Sequence, residues 1–479
     1  MNGVFSMNEK QTSSDSFPSS QMTNEQLVSY FNDHLDSYID EWKEFLRFAS
    51  ISADDSYHPD CLECADWVKK FLDKLGFRTE LLETPLLPLV YGELQGDPAF
   101  PTLLIYGHYD VQPPDPLELW KTPPFEPDLR EDRLWARGAE DNKGQLFFIL
   151  KSLELMRAKG FLKGTVRVLI EGGEEIASRG LVDVLEKYRG LFKADVLLVS
   201  DTGVANLDEG YLCVGLRGIA EIEYALYGPN RDLHSGIFGG LVRNPAIELS
   251  KLIASCFDSS GKISVPGFFD GFVEPSEELK DAAEVGIGFT AEEIEHMLGV
   301  PPNGGEQGRG LGERRGLHPT LEVNGLYAGY TGPGGKTIIP QCARVKISIR
   351  LVPNLDPARC LSSLTAHLTA QIPQGMRLEV VRTDKTGGVL RVEPDGRYVK
   401  VAKSVLAELH GAEPKLLWEG GSVPILSKLA SASGAEPILV GYGLERDNIH
   451  SPNENFGLDQ AEKGFVYYGL LLQRLNTPL

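Results

Sequence analysis

Carboxylates and histidines follow several apolar segments of this chain, and both residue types are metal ligands. The run from Thr102 to Tyr106 is apolar or β-favouring and leads through a glycine into His108 and Asp110. Such a run predicts a strand that is buried on both faces. Side chains two positions apart on a strand share a face, so we expect the Asp110 carboxylate to contact the imidazole of His108. A carboxylate that orients a histidine is the usual partner of a metal-binding imidazole.

Three further strand-like segments also end in carboxylates. They lead into Asp141, into the adjacent Glu174 and Glu175, and into Asp201. Taken alone, Asp141 is better interpreted as a helix N-cap, because it precedes a helix that we expect over 143–159. Adjacent glutamates repel each other unless a cation separates them. A metal ion can bind one of them and leave the other free as a general base.

A late histidine in a loop rich in Gly, Asn and Pro completes a set of metal ligands. The set is His108, Asp141, Glu175, Asp201 and His450, which is enough for two cations that share one carboxylate. Mixed imidazole and carboxylate ligands favour zinc, manganese or cobalt over calcium. Two such ions about 3.5–4 Å apart can hold a hydrolytic water and polarise a carbonyl group. Glu174 would then accept the proton of that water.

Length and composition limit the fold and the partners. The 479 residues exceed one ordinary core, so we expect two or three domains. A net charge of −21 argues against nucleic acid or an anionic membrane as a partner, and no apolar run is long enough to span a bilayer. Residues 1–24 are polar, without a signal-peptide core, and are expected to be a disordered tail.

The six cysteines are sparse for a chain of this length, which indicates the cytoplasm rather than an oxidising compartment. Cys61 and Cys64 have the spacing of redox and zinc sites, but no second pair accompanies them and the segment continues into an amphipathic helix. We therefore expect neither kind of site there.

The pattern of elements changes twice along the chain. Apolar strands alternate with amphipathic helices up to about Tyr211 and again from about Pro394, as in a doubly wound α/β domain. Between them, segments 221–227 and 344–351 alternate in polarity like half-exposed strands. The sequence therefore predicts an α/β domain with an inserted α+β unit.

The ordered series of motifs resembles the M20 metallopeptidase family, most closely its branch of cytosolic nonspecific dipeptidases and carnosinases. Each motif is weak alone, but together they are specific, and they occur in family order from about residue 25 to the C-terminus. The motifs are residues 107–113 (GHYDVQP), 137–144 (RGAEDNKG), 171–175 (EGGEE), 199–201 (VSD), 215–218 (GLRG), 232–236 (DLHSG), 348–353 (SIRLVP), 419–424 (EGGSVP) and 449–453 (IHSPN).

The resemblance implies a role for each candidate at the metal centre. His108 and Asp201 would bind one ion, Glu175 and His450 would bind the other, and Asp141 would bridge the two. Asp110 would orient His108, and Glu174 would be the general base. The resemblance also implies a cis peptide bond between Asp141 and Asn142.

The resemblance further implies how the chain is divided. A doubly wound, mixed-sheet catalytic domain would comprise 25–213 and 390–479, and residues 214–389 would form a lid that mediates a homodimer. His234 would reach into the active site of the partner subunit and stabilise the oxyanion there. Arg350 would hold the C-terminal carboxylate of the substrate as a bidentate pair, assisted by Thr337, Gly421 and Ser422.

These observations predict a cytoplasmic, homodimeric dipeptidase with two zinc or manganese ions per subunit, acting on dipeptides with a free C-terminal carboxylate. One alternative is an N-acyl-amino-acid deacylase or a desuccinylase on the same scaffold. The other is a metal-bound binding protein without activity. Because every catalytic position is intact, including Glu174, the sequence argues against the second alternative.

Overall fold

A computed structural model describes residues 21–420, 423 and 425–476 of the chain. Its α-helices are α1 (Asn24–Leu46), α2 (His58–Lys74), α3 (Lys143–Ala158), α4 (Arg179–Tyr188), α5 (Ser235–Phe238), α6 (Pro245–Ala254), α7 (Glu277–Ile287), α8 (Ala291–Leu298), α9 (Pro357–Ala370), α10 (Arg397–His410), α11 (Leu426–Ser433) and α12 (Leu458–Leu475). No helix in these ranges is long and apolar enough to cross a membrane.

The strands form one large mixed sheet and three smaller sheets. They are β1 (Arg78–Leu82), β2 (Leu89–Leu94), β3 (Leu103–His108), β4 (Asp128–Arg130), β5 (Arg133–Trp135), β6 (Val166–Glu171), β7 (Val196–Val199), β8 (Tyr211–Leu216), β9 (Gly218–Tyr227), β10 (Leu233–His234), β11 (Thr320–Ala328), β12 (Ile338–Ile339), β13 (Cys342–Leu351), β14 (Arg377–Gly387), β15 (Leu390–Arg391), β16 (Lys415–Glu419), β17 (Glu436–Leu439) and β18 (Asn455–Gly457).

The central sheet has the order β1-β2-β6-β3-β7-β17-β8-β15, and β16 also pairs with β8. Its middle strands β6, β3, β7 and β17 are parallel, whereas β1 and β2 are antiparallel to their neighbours. Every residue of β3 and of β7 is buried, as expected for strands covered on both faces. Helix α3 is buried around nearly its whole circumference and packs against α12. The predicted α/β class with a mixed sheet is confirmed.

The inserted segment has its own sheet and its own core. The antiparallel order β11-β13-β9-β14 occupies residues 218–387. Helices α6 and α9 pack on this sheet, and Leu249 and Leu364 are buried against Tyr224 and Ile347. Helix α7, which the sequence pattern did not predict, instead packs against β16 of the central sheet. The predicted boundary between residues 213 and 214 falls inside β8, which continues in the central sheet to Leu216.

The short strand before Asp141 does not belong to the central sheet, contrary to the repeated strand-end pattern. This strand, β5, pairs with β4 and with β18 in a three-stranded sheet of its own. The turn that follows β5 places Asp141 beside His108 at the end of β3 in the central sheet. Cys61 and Cys64 are free, buried thiols within α2.

Candidate active site

The carboxyl ends of β3, β6 and β7 meet at one edge of the central sheet. His108 is the last residue of β3, is fully buried, and pairs with Glu171 at the end of β6. Since β3 is also parallel to β7, the residues that follow all three strands emerge on the same side. Glu174 and Asp201, a few residues beyond β6 and β7, therefore lie beside His108.

His108, Asp141 and Asp201 form the first of two groups that could hold a metal ion. One atom from each residue lies within 4.8 Å of the other two. His108 Nε2 is 3.3 Å from Asp141 Oδ1 and 3.8 Å from Asp201 Oδ2. This buried nitrogen has no hydrogen-bond partner among the described residues, as expected of an atom that binds an ion instead.

Asp141, Glu175 and His450 form the second group. His450 Nε2 is 2.9 Å from Asp141 Oδ2 and 3.4 Å from Glu175 Oε2. Asp141 thus directs one oxygen to each group. Two imidazoles and three carboxylates, with one carboxylate shared, fit a pair of divalent transition-metal ions.

Asp110 connects His108 to the loop after β6. His108 Nδ1 lies 3.4 Å from Asp110 Oδ1 and 3.1 Å from its backbone carbonyl oxygen. When the imidazole proton is on Nδ1 and is donated to Asp110, Nε2 is left free to bind a metal. The same carboxylate accepts the backbone N–H groups of Glu174 at 3.2 Å and Glu175 at 3.1 Å, and the hydroxyl of Ser52 at 2.6 Å.

The site is crowded with negative charge. Burial raises the pKa of Glu174 well above its usual range and raises that of Asp201 to about 7. Hydrogen bonds to Asp141 and Glu175 raise the pKa of the His450 imidazole to about 11. Carboxylates held this close in a buried site require cations between them.

Asn142 fixes the turn that carries Asp141. The peptide bond between the two residues is cis, as the family resemblance implies. The Asn142 side chain donates to the Ser200 carbonyl at 2.6 Å and to Asp201 Oδ1 at 3.0 Å. Asn142 also stands at the N-cap of α3, so the interpretation of Asp141 as a plain helix cap is wrong.

A cleft of about 490 Å³ opens onto these groups. It is lined by Asp141, Glu174, Asp201 and His450, and also by Arg350 from β13 of the inserted segment. A carboxylate on a bound molecule would therefore meet a guanidinium in the same cleft that holds the candidate metal ligands.

Two of the other predicted substrate contacts, His234 and Thr337, are not brought to this cleft. His234 is exposed, and its Nδ1 accepts the N–H of Gly236 at 3.0 Å. Thr337 is also exposed. It lies beside His234, because its carbonyl accepts the N–H of Ser235, the next residue after His234. Neither side chain lines the cleft within the described chain. The predicted Gly421 and Ser422 lie outside the described residues.

Sequence reasoning missed several residues of the site. Glu419 is the last residue of the partly buried strand β16 and lines the cleft, so the strand-end pattern could have identified it. Arg315 lines the cleft from a short π-helical turn before β11 and had no recognisable sequence signal. Glu454 contacts the turn that carries Asp141. This contact depends on the pairing of β18 with β5, which no local sequence pattern indicates.

Comparison with known proteins places the chain in a family. The family model described as Peptidase family M20/M25/M40 matches residues 104–474. The chain belongs to this peptidase family. The membership expected from the motifs, and with it the assignment as a peptidase, is confirmed.

This M20 peptidase is similar along its length to several characterised proteins. It is 30% identical to the Cys-Gly metallodipeptidase dug1 of Schizosaccharomyces pombe, over 95% of this chain and 99% of the relative. The structure of the M20 family metallo-carboxypeptidase Sso-CP2 from Sulfolobus solfataricus gives a TM-score of 0.82 at 32% identity, covering 92% of this chain and 99% of that one. Human carnosine dipeptidase 1 gives a TM-score of 0.78 at 26% identity, covering 95% and 99%.

Proposed function

We propose that this M20 peptidase is a two-metal dipeptidase that cleaves dipeptides with a free C-terminal carboxylate. The observation that carries the proposal is the shared position of Asp141, which directs one oxygen to each of two ligand groups at the rim of one cleft. Arg350, which lines the same cleft, would supply a counter-charge for the substrate carboxylate.

The two ligand groups would hold one ion each. His108 and Asp201 would bind the first ion, Glu175 and His450 the second, and Asp141 both. Zinc or manganese suits this mixture of imidazole and carboxylate oxygen. When bound, such ions supply a Lewis acid for the scissile carbonyl and lower the pKa of the attacking water.

Glu174 would move the proton. It is the carboxylate of the loop after β6 that belongs to neither ligand group, yet it lines the cleft beside them. A carboxylate in this position can take a proton from the attacking water and return it to the leaving amine. Asp110 accepts a hydrogen bond from the backbone N–H of Glu174 and so positions the Glu174 carboxyl group beside the candidate ligands.

The substrate would bind with its C-terminus towards Arg350. Arg350 is partly buried on β13, where a guanidinium can form a bidentate pair with a carboxylate. Gly421, Ser422 and Thr337 would assist, as the family resemblance implies. Thr337 requires a different position of the inserted segment, or a second subunit, to do so.

We propose that two chains form a homodimer through the inserted segment. Its edge strand β11 exposes Val323, Leu326 and Tyr327, a combination of open strand edge and apolar side chains that is typical of an interface. His234, exposed on the same segment and outside the cleft of its own chain, would then complete the active site of the partner subunit. The free state of all six cysteines supports the cytoplasm as the compartment.

The two alternatives make different demands on the cleft. A deacylase or desuccinylase would use the same metals on acylated amino acids. The Schizosaccharomyces pombe relative and human carnosine dipeptidase 1, both matched over nearly the whole chain, are instead named as dipeptidases. Because one of the similar structures is a metallo-carboxypeptidase, longer peptides must also be considered as substrates. A binding protein without activity would not need Glu174 in the cleft.

A substrate panel separates these functions. The full-length protein is treated with a chelator, reloaded with zinc or manganese, and assayed on dipeptides, tetrapeptides, and N-acetyl and N-succinyl amino acids. We expect metal-dependent cleavage of dipeptides at least tenfold faster than the other classes, about 1.4 kcal/mol of discrimination. Cleavage of acylated amino acids alone would overturn the substrate class, and no cleavage by a protein with two bound ions would support the binding protein.

A further inference from the structure

Glu454 has an unusual set of partners for a carboxylate that belongs to neither ligand group. It is fully buried, and its Oε1 accepts the backbone N–H groups of Glu140 and Asp141, each at 3.0 Å. Its Oε2 accepts the N–H of Gly138 at 2.9 Å and Nη1 of Arg137 at 2.7 Å. Three backbone N–H groups of one turn, from Gly138, Glu140 and Asp141, thus converge on a single side chain, and the turn ends at the shared ligand.

The same residue also anchors the loop of the second histidine. Glu454 lies four positions after His450 and directly before β18. Strand β18 pairs with β5, and the carbonyl of Glu454 extends this pairing by accepting the N–H of Ala136 at 3.1 Å. Asp141 and His450, which lie far apart in the chain, are therefore held at 2.9 Å from each other through one residue that contacts both segments.

An arginine buried beside Glu454 fixes its side chain, while burial raises the pKa of the Glu454 carboxyl above its usual value. Arg137 is buried with it and also donates to the Pro113 carbonyl at 3.2 Å, so its guanidinium is fixed on two sides. A buried carboxylate with four charge-assisted or backbone hydrogen bonds is rigid and costly to replace. Glu454 does not line the cleft in the described chain, so its function must lie in holding the turn that ends at Asp141.

We infer that Glu454 is a positioning residue for the metal centre, setting the carboxylate of Asp141 between the two ligand groups. The inference rests on the two-metal site proposed above. Ligand carboxylates and imidazoles usually depend on such outer contacts, and a displacement below 1 Å is enough to weaken a site. Glu454 differs from Asp110, which orients His108, because it acts through the backbone of the turn.

The substitution Glu454→Gln tests this with the smallest change of shape. A carboxamide has only one acceptor oxygen, so in either orientation its NH2 group faces one of the two donor pairs. Either the pair of Glu140 and Asp141 or the pair of Arg137 and Gly138 then loses its acceptor. The turn must shift, and the oxygens of Asp141 shift with it.

The readout is metal binding by the full-length, metal-stripped protein, measured by competition with a chelator for manganese and separately for zinc. We expect Glu454→Gln to lower the affinity about 10–100-fold. Thermal unfolding of the metal-free form is recorded in parallel, because a merely structural role would lower the unfolding temperature and leave the affinity of the folded protein unchanged. If Glu454→Gln does not fold, Glu454→Asp, which keeps the charge and withdraws it by one methylene, is measured against the same criterion.

Glu436→Gln is a matched control. Glu436 Oε1 likewise accepts two backbone N–H groups, from Tyr398 at 2.8 Å and Val399 at 2.7 Å. It lies at the start of β17, the opposite edge of the sheet from the metal ligands, so its replacement should leave metal affinity unchanged. Wild-type affinity in the folded Glu454 variant, or an equal loss in the control, would overturn the inference. Failure of the wild-type protein to bind metal would instead refute the two-metal site and the inference with it.

Discussion

The Oδ1 atom of Asp110 accepts the backbone N–H of Glu174 at 3.2 Å. The same oxygen lies 3.4 Å from Nδ1 of His108, so a single carboxylate contacts both a candidate metal ligand and the loop of the proposed general base. The position of the metal and the position of the base are therefore not independent in this site. A change at Asp110 should affect both.

Replacing Asp110 by Asn should lower metal affinity and kcat together, each by about 10–100-fold. An amide has only one acceptor oxygen. Either the N–H of Glu174, which binds Oδ1, or the N–H of Glu175 and the Ser52 hydroxyl, which bind Oδ2, therefore lose their acceptor. Chelator competition and steady-state kinetics on a dipeptide measure the two effects. Ser52→Ala removes one donor only and should cost about tenfold or less. Unchanged metal affinity in Asp110→Asn would contradict this role.

Arg350→Lys should reduce kcat/KM for a dipeptide by about 10–100-fold, since a charged hydrogen bond contributes about 1.5–3 kcal/mol and lysine cannot form a bidentate pair. A C-terminally amidated dipeptide offers no carboxylate, so its slower cleavage should change little in the variant. Arg344→Lys is the control, because Arg344 lies on the same strand but is exposed and pairs with Glu223. An equal loss on the acid and the amide would exclude carboxylate recognition by Arg350.

Two inactive variants should restore activity when their subunits are mixed. His234→Ala removes the residue proposed to act across the dimer, and Glu174→Gln removes the base of its own chain. A mixed dimer then has one intact site, which predicts recovery of about a quarter of wild-type activity after random exchange of equal amounts. The test is the assay of the mixture after co-refolding or subunit exchange, with each variant alone as the control. Absence of recovery in verified mixed dimers would place His234 in the site of its own chain or outside catalysis.

Local sequence patterns located the residues whose positions depend on single strands. The apolar run into His108 and the run into Asp201 predicted buried strands, and parallel pairing in one sheet was enough to bring the two side chains together. Glu175 follows the same logic through β6. These positions could be predicted because a parallel sheet places all its carboxyl ends at one edge.

The remaining residues depend on contacts that no local pattern encodes. Asp141 reaches the site from β5, which is outside the central sheet, through a turn held by Glu454 more than three hundred residues later. Arg315 enters the cleft because the π-helical turn packs against α7, which in turn packs against β16. This arrangement is set by tertiary packing rather than by periodicity. His234 shows the limit most clearly: the family motif identifies it, but within one described chain it is exposed and does not line the cleft.

The central claim is that Glu174 transfers the proton while other residues hold the metal ions. Glu174→Gln, compared with the exposed control Glu63→Gln in α2, tests it most directly when turnover of a dipeptide and bound metal are measured on the same sample. We predict that Glu174→Gln retains two ions per chain and loses kcat by at least about 10²–10⁴-fold, while the control matches the wild-type protein. A Glu174→Gln variant that binds both ions and still cleaves the dipeptide at the wild-type rate would contradict the account.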